Sequence, residues 1–349
     1  MKINGQHFIV WIFALFVLSA CNRKDQSIIA ARERLSDDFI AFYGSTLFSI
    51  NPKNQQLTVY DEDAQKVVLQ TKIEFPEDEV PVQLAVLSGD TFLISYIYST
   101  IVYKIVANAV VELQVLDNTT LFPGYVISCS EFRRRPVYYK GSLIFPLLDT
   151  TNLFSTQPEG LAFGIYSLQK KVAALLPYRH PIAMADLGNG DRGFGFSIYG
   201  GTLLITYSGI DSVYMFDLER SQLKRQFLNL ITNSASIPPL LISDTFFNNL
   251  CEDDIMLKKM AFSPSIYNCV YQSHKGCYKV IFKEVDYDQK MKRYPTPGDL
   301  IWKSSIFTSN FEKKAQHNFG DRYLMQTVYI KDKERFLLKT SSYSQLILE

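Results

Sequence analysis

Three stretches of the chain carry side chains that could do chemistry. Arg133-Arg134-Arg135 is the densest run of charge. With Lys140, Arg179 and His180 it could line the mouth of a pocket and hold a carboxylated or phosphorylated ligand, because guanidinium groups grip such anions through paired hydrogen bonds. The same arginines could instead sit on a solvated loop or strand edge, where charge opposes unwanted pairing. Cys269 and Cys277 flank the turn Gln272 to Gly276. They face each other only if that loop is centred on Ser273, whereas a loop of His274 and Lys275 sets Gln272 opposite Cys277 and turns Cys269 to the other face. The alternatives are a Cys269–Cys277 disulfide or two separate buried thiols. His274 between them does not complete a metal site, since the spacing is not Cys-x-x-Cys and no fourth ligand is evident. Asp186-Leu187-Gly188-Asn189-Gly190-Asp191 alternates oxygen donors with glycines, as a calcium loop does. Phe196 and Ser197 stand where the closing acid of an EF-hand would be, so a glycine-rich connection is expected there. The chain has no Gly-x-Ser-x-Gly, His-Glu-x-x-His, Walker or Cys-x-x-Cys motif, and no catalytic residue, metal or cofactor is assigned.

These residues belong to a chain of 349 residues, 47% hydrophobic, 14% aromatic and 20% charged, which can bury a large core and is too apolar for a disordered protein. With 36 basic against 35 acidic side chains, it offers no bulk field to attract nucleic acid. Lys2 precedes the apolar run Phe8 to Leu18, too short to cross a hydrocarbon core that needs about 20 helical residues, so residues 1–20 are read as a signal peptide. Its last residues, Leu18-Ser19-Ala20-Cys21, resemble the bacterial lipobox. That resemblance implies cleavage before Cys21, a diacylglycerol on its thiol, and anchoring to the cell envelope, at the outer membrane on its periplasmic or surface face. Residues 21–38 then form the lipidated N-terminus and tether, and 39–349 a single folded domain. Cys129, Cys251, Cys269 and Cys277 remain for that domain, in a compartment where disulfides are permitted.

The elements that must position these side chains are strands. Short runs rich in Val, Ile, Leu, Phe, Tyr and Thr alternate with turn clusters, and helical periodicity is nearly absent. One run recurs as Thr46–Ile50, Thr91–Ser95, Ser142–Phe145 and Thr202–Thr206, with weaker copies at Ile266–Tyr271 and Arg322–Thr327. A second strand follows each, as in Asp211–Leu218, and a charge-started third closes the unit, as in Lys66–Ile73 and Gln222–Leu230. Meanders repeating at this period are expected to form an all-β, six-bladed β-propeller, each sheet packing between two neighbours. Seven blades follow if 251–303 hides another, and a β-sandwich with insertions is the rival fold.

The chain resembles the Bacteroidetes-type uncharacterised cell-envelope lipoproteins grouped with TolB-like six-bladed propellers. The residues that carry the likeness are Leu18 to Cys21, the meander rhythm, and Tyr271, Lys275 and Tyr278 within Tyr271–Val280. The resemblance implies fold, export and anchoring, and transfers no catalytic residue. The expected role is a non-catalytic binding or scaffold protein for a glycan, peptide or envelope protein. The alternative is a propeller-type hydrolase or lyase acting on a carbohydrate or lactone at the channel mouth.

Overall fold

The computed structural model describes residues 39–128, 134–149, 161–178, 194–208, 210–230, 265–273, 275–285, 300–320, 322–330, 333–339 and 346–348. Every regular element among them is a strand, and every pairing is antiparallel between neighbours in a meander. The first sheet takes β1 (Phe39–Tyr43), β2 (Thr46–Asn51), β3 (Gln56–Asp61) and β4 (Lys66–Lys72) in that order. The second takes β5 (Pro81–Val86), β6 (Thr91–Tyr96), β7 (Ser99–Val106) and β8 (Ala109–Asp117). In the third, the first strand is split into β9 (Tyr125–Ile127) and β10 (Val137–Tyr139), followed by β11 (Ser142–Asp149), β12 (Leu161–Ser167) and β13 (Val172–Leu175). The fourth holds β14 (Phe194–Tyr199), β15 (Thr202–Tyr207), β16 (Ser212–Asp217) and β17 (Gln222–Phe227). The fifth holds β18 (Ser265–Gln272), β19 (Cys277–Val285), β20 (Leu300–Phe307) and β21 (Lys313–Asn318). A further sheet of β22 (Tyr323–Ile330), β23 (Lys333–Lys339) and β24 (Leu346–Leu348) has three strands among the described residues.

Alternation along the second strands explains how these sheets pack. Phe92 and Ile94 face the first sheet and join a core with Phe48, Ile50 and Leu57, while Leu93 between them faces the third and joins Leu143, Phe145 and Leu147. Ile144 turns the opposite way from Leu143, into a core with Leu203, Ile205 and Phe216 of the fourth sheet. Leu204 then points on to Ile266, Val280 and Phe282 of the fifth. The second to fifth sheets therefore each bury their two faces against two different neighbours, which a two-sheet sandwich does not do. The architecture is a β-propeller. Burial on both faces is also why the second strands read as unbroken apolar runs rather than alternating ones.

The fourth strands are mostly exposed, as in Gln222–Phe227 and Lys313–Asn318, and form the outer rim. They are blunted as edges by lysines and arginines, or by bulges such as the one where β7 meets β8. Units one to four match the repeat, but the fifth and sixth copies sit one strand early. Ile266–Tyr271 and Arg322–Thr327 fall on β18 and β22, the first strands of their sheets, and Cys277–Val285 is the true second strand. β18 is as apolar and as buried as the second strands, so composition does not tell first from second.

Candidate functional site

The split first strand of the third blade is the most unusual feature of the ring. β9 pairs with the end of β11 and β10 with its beginning, so the chain leaves the sheet after Ile127 and returns at Val137. The Ser128 amide still donates to the Pro146 carbonyl, which marks the point of departure. The excursion returns through Arg134 and Arg135. Arg135 Nη2 donates to the Ile40 carbonyl of the first blade at 2.5 Å, and its guanidinium also lies within electrostatic reach of Tyr267 in the fifth. A side chain from blade three that reaches blades one and five crosses the centre of the ring. Burial works against its charge, but a guanidinium remains protonated at neutral pH. Arg134 reaches the adjacent blade four, where Nε donates to the Phe194 carbonyl at 3.3 Å and the guanidinium lies 4.5 Å from the Phe194 ring centre. Nη1 turns back to Ser128 Oγ at 3.4 Å.

Two of the candidate arginines are thus brought inside, where they hold main-chain carbonyls of other blades. Arg133, Arg179 and His180 lie outside the described residues, as do Cys21, Cys129, Cys251 and the Asp186–Asp191 loop. Lys140 is elsewhere, on the outer surface, with Nζ 2.5 Å from Glu219 Oε1. Glycine makes the blade four to five contact equally close. A Cβ on Gly195 would sit 2.3 Å from the Tyr267 carbonyl oxygen, so only glycine fits there.

Cys269 and Cys277 are free, buried thiols, the second of the two alternatives, and the possible disulfide between them is not formed. The register pairs Cys269 with Val280 and Gln272 with Cys277, which places the two cysteines on opposite faces of the hairpin. Burial raises both thiols above their ordinary value, which makes them poor nucleophiles. Cys277 Sγ donates to Gln272 Oε1, and Gln272 opens a polar cluster that the sequence alone did not reveal. Glu334 on β23 accepts from Lys275 Nζ at 2.6 Å, from the fully buried Lys279 Nζ at 2.7 Å, and from Gln272 Nε2 at 3.3 Å. Burial alone would raise the Glu334 carboxyl, but the two ammonium groups overcome it and pull it down to about 2. Lys279 is lowered by the same burial, only partly offset by Glu334, and packs 4.3 Å from the Phe336 ring centre. Nearby His317 is lowered by burial and by the two lysines.

The two ends of the ring differ. A meander of four strands begins and finishes at the same end, so connections from first to second and third to fourth strand share one face. Those from second to third, and from blade to blade, share the other. The first face carries tight turns only, such as 44–45, 107–108, 140–141 and 200–201. The long connections 150–160, 176–193, 228–264 and 286–299 all begin and end on the second. Tyrosines organise the tight-turn face. Tyr139 sets its hydroxyl beside Gly201 of the next blade and near Glu219, and Tyr199 stacks on Tyr271 with ring centres 3.5 Å apart. The signal was present in the sequence as Tyr43-Gly44, Tyr139-Lys140-Gly141 and Tyr199-Gly200, just before the runs that start at Thr46, Ser142 and Thr202. In each, the glycine takes the positive φ of the turn.

No protein-family model matches the chain, and no curated protein matches it. Solved structures do. A member of the DUF4221 family from Bacteroides vulgatus is similar with a TM-score of 0.61 at 10% identity, covering 89% of this chain and 91% of that one. A protein of unknown function from Bacteroides caccae gives a TM-score of 0.45 at 9% identity, covering 88% and 90%. A propeller domain of Nup133 from Vanderwaltozyma polyspora gives 0.40 at 10% identity, covering 89% and 80%. At these identities the likeness is one of fold. It agrees with the ring of meanders and carries no activity across.

Proposed function

We propose that this protein is a lipid-anchored, six-bladed propeller of the bacterial envelope that binds a glycan, a peptide or an envelope protein without transforming it. The observation that carries the reading is the asymmetry of the two faces. Tight turns and interlocked tyrosines occupy one face, whereas the long connections all begin and end on the other. The centre of the ring supports the same view. Arg135 spans it with a bond to the Ile40 carbonyl and Arg134 ties blade three to blade four through the Phe194 carbonyl, bracing roles that leave recognition to the connections. The leader, with Lys2, its apolar run and Leu18-Ser19-Ala20-Cys21, supports anchoring through Cys21.

The test uses the full chain expressed in its envelope. Wild type should take up labelled fatty acid and fractionate with membranes, and Cys21→Ser should do neither. The purified lipidated protein is then titrated with envelope glycans and peptides while products are followed. Saturable binding with no product supports the reading. Turnover that is lost on replacing acids or histidines at one channel mouth would replace it with a propeller-type hydrolase or lyase.

A further inference from the structure

On the long-connection face of blade two, three aliphatic or aromatic side chains stand together in solvent. Val80 is 63% exposed, Ile97 61% and Tyr98 60%, the three most exposed side chains of this face's apolar set among the described residues. They are held there by polar bonds from both sides. The Glu79 carboxylate accepts from the Tyr98 amide at 3.0 Å, the Ser99 amide at 3.2 Å and the Ser99 hydroxyl at 2.9 Å, which ties the connection before β5 to the turn between β6 and β7. From the other side, the Asn118 amide donates to the Tyr98 carbonyl at 2.8 Å, and Asn118 Nδ2 to the Tyr96 carbonyl at 3.1 Å. Thr100 Oγ1 completes the tie by donating to Asn118 Oδ1 at 2.9 Å. The apolar tip is therefore presented by a fixed turn. Such a turn loses little conformational freedom when a partner covers it, which is the condition under which an aromatic anchor contributes most to binding.

The charge beside this tip is mainly acidic, with Lys72 at the end of β4 the nearest basic residue before it in sequence. Glu74, Glu77 and Asp78 are exposed on the connection before β5, Asp117 is exposed at the end of β8, and no lysine or arginine occurs from Ile73 to Tyr103. An anionic lipid or lipopolysaccharide surface would be repelled by that rim, whereas a basic protein segment would be attracted. We infer that Val80, Ile97 and Tyr98 form a docking site for a lysine- or arginine-rich protein segment that brings an apolar side chain or pocket to the tip. This rests on the binding-face reading above and names the chemistry of the partner at one place on that face.

The test is site-specific photo-cross-linking in cells. The full lipidated chain carries benzoylphenylalanine in place of Tyr98, in place of Asn54 in the blade-one connection on the same face, or in place of Tyr138 near the tight-turn face. Adducts are mapped by mass spectrometry. The expected result is an adduct from position 98 to a protein segment rich in Lys and Arg. The paired substitutions Glu77→Lys and Asp78→Lys, and separately Ile97→Ser, should each cut it roughly tenfold, the size expected for a rim charge cluster or one buried anchor. Thermal melts of these surface variants should match wild type, so that loss of the adduct is not loss of fold. Adducts to phospholipid or glycan alone, an adduct indifferent to the charge reversal, or none at position 98 would each overturn the inference. If position 54 still gives adducts in those cases, the binding face stands and only this site falls. If neither position 54 nor position 98 gives any, both fall.

Discussion

Arg135 shows how far a residue's type can be legible while its use is not. An arginine run was visible in the sequence, and anion binding was the chemistry it could do, yet Arg135 holds the Ile40 carbonyl across the ring and Arg134 the Phe194 carbonyl. What the sequence lacked was the break in the first strand of blade three, because its halves Tyr125–Ile127 and Val137–Tyr139 are each only three residues long and nine residues separate them. If Arg135 braces the ring, Arg135→Leu leaves an enclosed carbonyl without its charged donor. It should cost about 2 kcal/mol, as for other hydrogen bonds to charged groups. Urea unfolding should show a lower midpoint at unchanged slope. An unchanged midpoint would mean that the bond contributes nothing.

Among elements, the contacts between blades are unequal. Blades one to five meet through broad aromatic and aliphatic cores, but the contact of blade five with β23 combines the small group Tyr267, Ile281, Phe319 and Leu338 with the Glu334 cluster. A carboxylate that joins two lysines, one of them fully buried, makes this contact sensitive to charge. Glu334→Gln strands the Lys279 ammonium in the interior and should destabilise by about 3 to 5 kcal/mol. The pH dependence has a definite sign. The carboxyl is pulled down from an ordinary 4.5 to about 2, so its contribution is complete above about pH 4.5 and is lost as pH falls towards 2. Acid titration of stability should show that loss in wild type and not in Glu334→Gln. Equal acid sensitivity in both would place the effect elsewhere. Blade order and strand boundaries were largely legible here, since the runs starting at Thr46, Lys66 and Gln222 begin β2, β4 and β17 as the sequence suggested. The Glu334 contact was not, because Lys275 and Lys279 each lie more than fifty residues from Glu334 and meet it only when two blades pack. The disulfide was undecidable in the same way, since it hung on a register that the turn alone did not fix.

For the whole molecule, the sequence announced a ring of meanders and its length, but not its polarity. That polarity follows from even strand numbers, which send every long connection to one face, and from tyrosine-glycine pairs that lock the other. The central claim is that the ring and its tight-turn face are structural and that the opposite face does the binding. Hydroxyl-radical footprinting tests it most directly, comparing the full chain in the cells that express it with the same protein purified. The account predicts protection in cells at 73–80, 97–98 and 118–124, with equal labelling of 44–45, 140–141 and 200–201 in both preparations. Protection confined to those tight turns, or identical footprints on both faces, would contradict it.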